Sequence, residues 1–230
     1  MKRERWEVLE KSLENLQPYY RLMNKLMSFG NDTILREKAL DGLKGERYLD
    51  AGTGPGDMAS LTIKKIKPKS VVLLDPSVFL LKKNGNNGEK VMGKFENIPF
   101  RDSSFDLVTC AFSFRDAIDH ERAGEEISRV LEKNGYFVLV DLGKPDSMIL
   151  KFLFYIYIFF YPVILSIFVT RGKLVREYST LLYTYIEYPS YSKLKSIFER
   201  NNLFLVKEEK KMFGGAIMQV WKKYENINTK

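Results

Sequence analysis

The sequence predicts an α/β fold with a Rossmann-like, mostly parallel sheet of seven strands, and three observations support this prediction. From Glu46 onward, short apolar runs alternate with amphipathic runs. Such alternation is typical of strands joined by helices that cover both faces of a sheet. A glycine-rich turn follows the first apolar run, and the last two runs have no helix-length segment between them. We therefore expect those last two strands to form an antiparallel hairpin.

The individual elements follow from the period of the apolar residues. The parallel strands are predicted over Arg47–Ala51, Val71–Asp75, Lys90–Gly93, Phe105–Ala111 and Gly135–Leu142. The helices around them are predicted over Asp57–Ile66, Ser77–Asn84, His120–Glu132 and Ser190–Arg200. The closing hairpin is predicted over Leu203–Lys210 and Ala216–Lys222.

The first 45 residues are predicted to form a helical cap. One helical face is marked by apolar residues at spacings of three and four, namely Trp6, Leu9, Leu13 and Leu16. Pro18 is expected to end this helix, and a second helix is expected from Tyr20 to Met27. Asp32 is expected to be the N-cap of a third helix from Thr33 to about Leu43.

A long apolar stretch interrupts the strand–helix rhythm. No charged residue occurs from Phe152 through Val169, which reaches the roughly 18 residues at which a membrane span becomes a candidate. A single crossing would, however, separate elements of one sheet. We therefore expect a cap, either a buried helix pair or an apolar lid that touches a membrane or encloses an apolar tail. The chain then divides into a cap (1–45), a core (46–146), an inserted cap (147–189) and a closing part (190–230).

Composition narrows the function classes. The net charge of +8 favours anionic partners, either nucleic acid or acidic lipid. Cys110 and His120 are the single cysteine and histidine, so we expect no disulfide and no metal centre. The charged N-terminal residues MKRERWEVLEK lack an apolar core. We therefore expect no signal peptide and a cytoplasmic enzyme.

The glycine turn is the strongest local signal. It reads DAGTGPGD from Asp50 to Asp57, and glycines allow both a tight turn and close approach of a ligand to the backbone. The spacing differs from the G-x-G-x-x-G of dinucleotide loops. Asp50 would repel a phosphate but suits the amino group or sulfonium of S-adenosylmethionine. Asp75 ends the second strand, where a carboxylate can accept from ribose hydroxyls.

These residues resemble a known family. The segment Asp50-Ala51-Gly52-Thr53-Gly54-Pro55-Gly56 resembles motif I of class I methyltransferases. Further segments make the chain similar to the ubiquinone/menaquinone biosynthesis C-methyltransferases over nearly its whole length: Tyr20–Gly30, Phe112–Asp116, Arg129–Gly135, Asp141–Pro145 and Gly214–Gly215. Lys94 departs from the aspartate with which that family contacts adenine. Since lysine cannot accept a hydrogen bond, Glu96 or the backbone near Phe95 is expected to replace it.

The resemblance implies S-adenosylmethionine as cofactor. The residues it assigns to cofactor binding are Asp50, Gly52, Gly54, Gly56, Asp75, Pro76, Phe95 and Ala111. It implies a prenylated quinol, similar to demethylmenaquinol, as the acceptor that is methylated on a ring carbon.

The resemblance also implies three catalytic residues. Arg115 stands where the family has a functional arginine, whose guanidinium can stabilise a phenolate. Tyr20 is expected to hydrogen-bond the ring oxygens, and Asp116 to orient Arg115. The alternative for Arg115 is a surface ion pair with Asp116 or Asp119. His120 is either a general base or a helix cap.

Several alternatives stay open at this point. The acceptor is either a prenylated quinol or another small or lipid-like molecule, because fold does not decide function. An NAD-dependent oxidoreductase uses the same kind of sheet, although the glycine spacing and Asp50 argue against it. A nucleic-acid-binding module is suggested by the basic balance alone. The basic charge also favours peripheral contact with the inner face of an anionic membrane, and a homodimer stays open.

Overall fold

The computed structural model describes Val8 and residues 11–224. The strands are β1 (Arg47–Ala51), β2 (Ser70–Asp75), β3 (Glu89–Met92), β4 (Phe105–Ala111), β5 (Leu131–Leu142), β6 (Leu203–Lys211) and β7 (Ala216–Lys223). The helices are α1 (Tyr20–Met27), α2 (Asn31–Ala39), α3 (Asp57–Ile66), α4 (Val78–Lys83), α5 (His120–Val130), α6 (Met148–Thr170), α7 (Val175–Glu187) and α8 (Tyr191–Arg200). Residues 11–16 are also helical, and short 3-10 turns cover Gln17–Tyr19, Phe114–Asp116 and Met212–Gly214.

The strands form one sheet in the order β3-β2-β1-β4-β5-β7-β6. The pairs from β3 to β5 are parallel, whereas β7 runs antiparallel to both β5 and β6. The predicted mixed sheet with a C-terminal antiparallel hairpin is therefore confirmed. The strand order reverses between β1 and β4, and in open α/β sheets ligands bind outside the carboxyl ends of the strands at such a point.

Apolar side chains cover both faces of the sheet. Neighbouring residues of a strand point to opposite faces, so Tyr48 and Leu49 of β1 join two different clusters, and both are fully buried. The Leu49 side packs against α5 and α8, with Phe198 at its centre. The Tyr48 side packs against α2 and α3 through Leu35 and Met58. Burial on both faces fixes the sheet and, with it, the ends of its strands.

Two predicted helix caps are wrong. Asp32 lies inside α2, where it is buried and pairs with Arg36. The helix begins at Asn31, directly after Gly30, and the left-handed φ of 77° at Gly30 lets the chain turn into the helix. This helix also ends at Ala39, short of the predicted Leu43. His120 is the first residue of α5, and the cap is Asp119, whose side chain accepts a hydrogen bond from the amide of Arg122.

The inserted segment is a helix hairpin of α6 and α7, as the alternative of a helix pair predicts, but α6 is buried on one side only. Its inward residues recur every four positions, which is close to one helical turn: Phe154, Ile158, Pro162, Ser166 and Thr170. Its outward side exposes large apolar residues: Met148, Ile149, Phe152, Leu153, Ile156, Phe159, Phe160, Ile164, Ile167 and Phe168. The expectation of a fully buried pair therefore fails for α6. The N-terminal residues Leu16 and Met23 pack beside the hairpin against Leu174 and Tyr178.

Candidate active site

A polar cleft opens at the carboxyl ends of β1, β2 and β4, at the point where the strand order reverses. Together with the solvent at its mouth, it encloses about 640 Å³ of space. Its charged lining residues are Arg36, Asp50, Asp57, Asp75, Arg115 and Asp116. Four aspartates face two arginines there, so the cleft suits a positively charged ligand although the whole chain is basic.

The glycine turn forms the floor of this polar cleft. Gly52 and Gly54 both have positive φ values, of 67° and 52°, which favour glycine. A Cβ on Gly52 would meet the Ser113 hydroxyl at 2.4 Å, whereas one on Gly54 would meet no atom within 4 Å. Gly52 is therefore backed by protein, and the backbone at Gly54 faces open space that a ligand can approach closely.

Asp50 lies just below the turn and is 1% exposed. Its carboxylate accepts from the Thr53 hydroxyl at 2.7 Å and from the Thr109 hydroxyl at 2.5 Å. Burial raises the pKa of Asp50, while these two hydroxyls and the charge of Arg36 act in the opposite direction. The side chain is held in one position at the wall of the cleft, where its negative charge acts on a bound cation.

Asp75, at the end of β2, is held by the backbone on both sides. Its Oδ2 accepts from the Gly54 amide and its Oδ1 from the Ser77 amide, both at 2.8 Å. Burial raises the pKa of Asp75 to about 6, although both amides lower it. Each oxygen keeps a further lone pair, so the carboxylate can still accept from a diol.

A side pocket continues from the polar cleft past Asp75, between Pro76 and the residues Lys94, Phe95 and Glu96. Glu96 Oε1 accepts from the amides of Ile118 and Asp119, at 2.6 and 3.1 Å. This oxygen therefore holds the chain after β4, and its availability to a ligand is reduced. The Phe95 ring, which is largely buried, lines the pocket and offers an apolar face to a flat ring.

Arg115 is buried at 6% exposure, so the alternative of a surface ion pair is wrong. Its Nη1 donates to Asp141 Oδ1 at 3.1 Å and to the Phe112 carbonyl at 2.5 Å, while Nε lies 3.7 Å from Asp116 Oδ1. Burial lowers the pKa of Arg115, but Asp116 and Asp141 more than offset it, so the net direction is upward. Arg115 is therefore a fixed cation and not a base.

An apolar pocket of about 790 Å³ meets the polar cleft beside Arg115. Four residues line both spaces: Leu13, Tyr20, Phe112 and Arg115. The apolar pocket continues between the cap and α6, past Ile158 and Tyr178, to an outer groove between Phe29, Leu153 and Phe213. Phe154, Tyr157 and Met212 line both the pocket and the outer groove, so the cleft, the pocket and the groove adjoin one another in this order.

Tyr20 stands at the junction of the two spaces, and its phenol is held close to the positive charges there. Burial raises its pKa, and the charges of Arg36 and Arg115 partly oppose this. Its phenol is therefore protonated at neutral pH and can donate a hydrogen bond at the junction.

Two other sequence candidates lie apart from these spaces. Gly56 is the residue before α3, and a Cβ there would meet Asn84 and Asn86 at 2.4 and 2.3 Å, which indicates a packing role. His120 packs against the rings of Phe114 and Tyr188. Burial lowers its pKa to about 4, so it is a neutral side chain that is half-buried beside these rings.

Sequence reasoning missed three polar residues of the site. Ser113 backs Gly52, Asp141 neutralises Arg115, and Arg36 lines the polar cleft from α2. Asp141 lies within Asp141–Pro145, one of the segments that carry the resemblance. Its position at the end of β5 is the signal that would have identified it.

Comparison with known proteins identifies the family. The model of the ubiE/COQ5 methyltransferase family matches residues 2–223. The chain belongs to this family. It is a methyltransferase, and S-adenosylmethionine is its methyl donor. The open backbone at Gly54 and the acidic charge of the polar cleft fit such a ligand.

Individual relatives agree with this assignment. A demethylmenaquinone methyltransferase of Bacteroides fragilis is 29% identical over 90% of this chain and 89% of its own length. One from Thermotoga maritima is 37% identical, over 56% of this chain and 58% of its own length. The solved structure of a SAM-dependent methyltransferase from Thermotoga maritima matches 95% of this chain and 99% of its own, with 18% identity and a TM-score of 0.62. At that identity the structure supports the fold alone.

Proposed function

We propose that this methyltransferase of the ubiE/COQ5 family transfers a methyl group to a ring carbon of a prenylated quinol similar to demethylmenaquinol. The observation that carries this proposal is the junction at Tyr20 and Arg115, where the polar cleft opens into the apolar pocket. A polar ring at the junction with an apolar tail in the pocket matches both linings. The relatives from Bacteroides fragilis and Staphylococcus carnosus are named demethylmenaquinone methyltransferases, which agrees with this acceptor.

The residues of the junction can activate such a ring. When bound, S-adenosylmethionine would supply a methyl group from its sulfonium sulfur and would leave as the neutral thioether. Arg115 stabilises the phenolate that forms when a ring hydroxyl loses its proton to water. Its buried Nε makes no hydrogen bond to any residue that the structure describes and lies 3.7 Å from Asp116 Oδ1, so we propose that this donor turns to the ring oxygen when the acceptor binds. The phenolate makes the neighbouring ring carbon nucleophilic, and that carbon loses its own proton after it gains the methyl group.

The surroundings hold the ring in place and exclude water. Tyr20 donates from the cap to a ring oxygen, while Leu13 and Phe112 close the junction from two sides. Phe112 itself has a positive φ of 57°, a conformation that is costly for a bulky residue. Because positioning two reactants is a large part of such catalysis, we propose that this backbone geometry serves to fix the ring.

Labelling tests the acceptor. Quinols extracted from cells and reduced should gain label from methyl-labelled S-adenosylmethionine, and a head group without its tail should react with a much higher KM, because the outer groove and pocket then stay empty. If only a different lipid-like or water-soluble fraction gains label, the alternative acceptor replaces this proposal.

We also propose that the outward face of α6 contacts a membrane, peripherally and on the cytoplasmic side. Among the described residues, α6 is the one helix that is long and apolar enough to span a bilayer by length and composition. Its exposed side includes Phe168 at 80% exposure, and the exposed cations Arg171 and Lys173 follow at its end. A large exposed apolar patch marks an interaction site, and such flanking cations favour anionic lipid.

The ends of the hairpin favour a helix that lies in the interface over one that crosses. The amide of Tyr191, after α7, donates to the carbonyl of Lys144, before α6, at 3.1 Å. The chain thus returns to its starting point, and α7 is only 13 residues long, with Arg176 and Glu187 within or at the end of it. The outer groove opens beside this face, so a tail in the bilayer can enter the pocket sideways.

Liposome co-sedimentation tests the membrane contact. Vesicles with anionic lipid should recruit the protein more than neutral ones, and high salt should reduce the difference. Phe160→Ser with Phe168→Ser should reduce recruitment, whereas Met92→Ser, at a residue that is equally exposed on β3, should not. Equal recruitment by both vesicles at every salt concentration would contradict electrostatic docking.

A further inference from the structure

We propose that Arg36 is the binding site for the carboxylate at the amino-acid end of S-adenosylmethionine. Arg36 lies on α2 and lines the polar cleft, but not the apolar pocket. The inference depends on the methyl donor and is independent of the acceptor proposed above.

The guanidinium of Arg36 is held rigidly. Nη1 donates to Asp32 Oδ2 at 2.9 Å, and the Ser28 hydroxyl fixes the other oxygen of Asp32 at 2.8 Å. The guanidinium carbon lies 4.7 Å from the centre of the Phe112 ring, which favours a cation by its negative face. A side chain fixed on two sides is preorganised, so it loses little entropy when a ligand binds.

Arg36 has donors to spare. A guanidinium carries five N–H donors, and within the described part of the chain Arg36 donates one hydrogen bond, to Asp32. The residue is only 6% exposed, yet its buried Nε has no hydrogen-bond partner among the described residues. Buried donors are normally satisfied, and two parallel N–H groups of an arginine match a carboxylate.

The charges of the polar cleft assign the carboxylate to Arg36. Its two lining cations are Arg36 and Arg115. Arg115 is already opposed by two carboxylates, Asp141 and Asp116, whereas Arg36 pairs with Asp32 alone. The amino-acid end carries one ammonium and one carboxylate, so Asp50 and Arg36 together match its two charges. The positive charge of Arg36 lowers the pKa of Asp50 and so partly offsets the effect of burial. The two groups are therefore close enough to interact electrostatically.

The rival role for Arg36 is purely structural, as an ion pair with Asp32 within α2 that stabilises this helix. Both roles predict that Arg36→Gln is harmful, so loss of activity alone does not separate them. A ligand that lacks only the carboxylate does separate them, because a structural defect weakens binding of both ligands alike.

Calorimetric titration with S-adenosylmethionine and with its decarboxylated form provides the test, with no acceptor present. The unmodified protein should bind the complete cofactor about 10- to 100-fold more tightly, as one charge-assisted pair supplies. Arg36→Gln should bind both ligands equally, with an affinity close to that of the unmodified protein for the decarboxylated form. Arg36→Lys, which keeps the charge but not the fork, should keep part of the preference.

Titration of the unmodified protein keeps the test valid even if Arg36→Gln does not fold. Equal affinity of that protein for the two ligands would overturn the proposal. A preference for the carboxylate that persists in a folded Arg36→Gln variant would overturn it as well, and Arg36 would then be a structural residue of α2.

Discussion

The polar cleft and the α6 face are built on opposite principles. In the cleft, every charged group is fixed by a short-range partner: Asp75 by two backbone amides and Arg115 by Asp141. On α6, the outward side chains are large and apolar, and they are exposed rather than packed against the chain. The charged groups of the cleft are thus positioned by the chain itself, whereas the outward face of α6 is left apolar and exposed, which is why we propose an apolar partner for it.

The largest expected effect is at the junction between the two regions. Arg115→Ala should slow methyl transfer by about 10²- to 10³-fold, because the cation that stabilises the phenolate is lost. Its affinity for S-adenosylmethionine should change only a few-fold. Single-turnover rates with saturating cofactor measure the first effect, and calorimetry measures the second.

Loss of Arg115 also leaves Asp141 buried without its cation, so Arg115→Lys is the matched control. This variant retains a charge for Asp141 and should be better folded, but a lysine cannot reproduce the planar fork. An equal loss of cofactor affinity and turnover in Arg115→Lys would contradict the assignment of Arg115 to the acceptor side.

The two sides of α6 can be compared at neighbouring residues. Ile158 is 3% exposed and packs inward, while Phe159 is 52% exposed. Ile158→Ala should lower the free energy of unfolding by about 2–5 kcal/mol, whereas Phe159→Ala should change it by about 0.5 kcal/mol or less. Denaturant unfolding in the absence of lipid measures both values. Similar losses in the two variants would mean that the outward face is covered by protein.

Asp75 tests the cleft by itself. Asp75→Ala should weaken cofactor binding about 10- to 100-fold, since the ribose loses a charged acceptor. Asp102→Asn is the control, because Asp102 is an exposed aspartate that pairs with Arg129 and does not line the polar cleft. This variant should bind the cofactor like the unmodified protein. A small effect of Asp75→Ala, comparable with that of the control, would place the ribose elsewhere.

The smallest effect is a pH dependence from the same carboxyl. Burial raises the pKa of Asp75 to about 6 from the ordinary 3.8, so the ionised form costs stability in the free protein above that pH. A ligand that prefers the carboxylate lowers this pKa again, and affinity should therefore fall as pH drops below about 6, by up to tenfold per unit. Asp75→Asn should show a flat profile in calorimetry between pH 5 and 7, where an unchanged slope would point to another group.

Much of the cleft could be predicted from sequence because its determinants are local. The strand, the glycine turn and the helix are consecutive, and a carboxylate that ends the next parallel strand must lie beside them. Asp50, Gly54 and Asp75 follow from this order alone. The hairpin could also be predicted, because β6 and β7 are separated by too short a segment for a crossover.

The remainder depends on contacts between distant residues. The pairing of Arg115 with Asp141 requires the register of β4 against β5, and the role of Arg36 requires the packing of α2 over Phe112. Asp32 is a residue type that is common at caps, but the helix begins after Gly30, and Asp32 instead pairs with Arg36 one turn further along the same helix. Sequence composition likewise gave no way to tell which side of α6 would stay exposed.

The central claim is that Arg115 and Tyr20 present a phenolate ring to the donor so that carbon, not oxygen, is methylated. Carbon-13 NMR of the quinol formed from ¹³C-methyl S-adenosylmethionine measures this directly. A signal at the shift of an aromatic ring methyl is predicted. A signal at the shift of an aryl methoxy group would contradict the account.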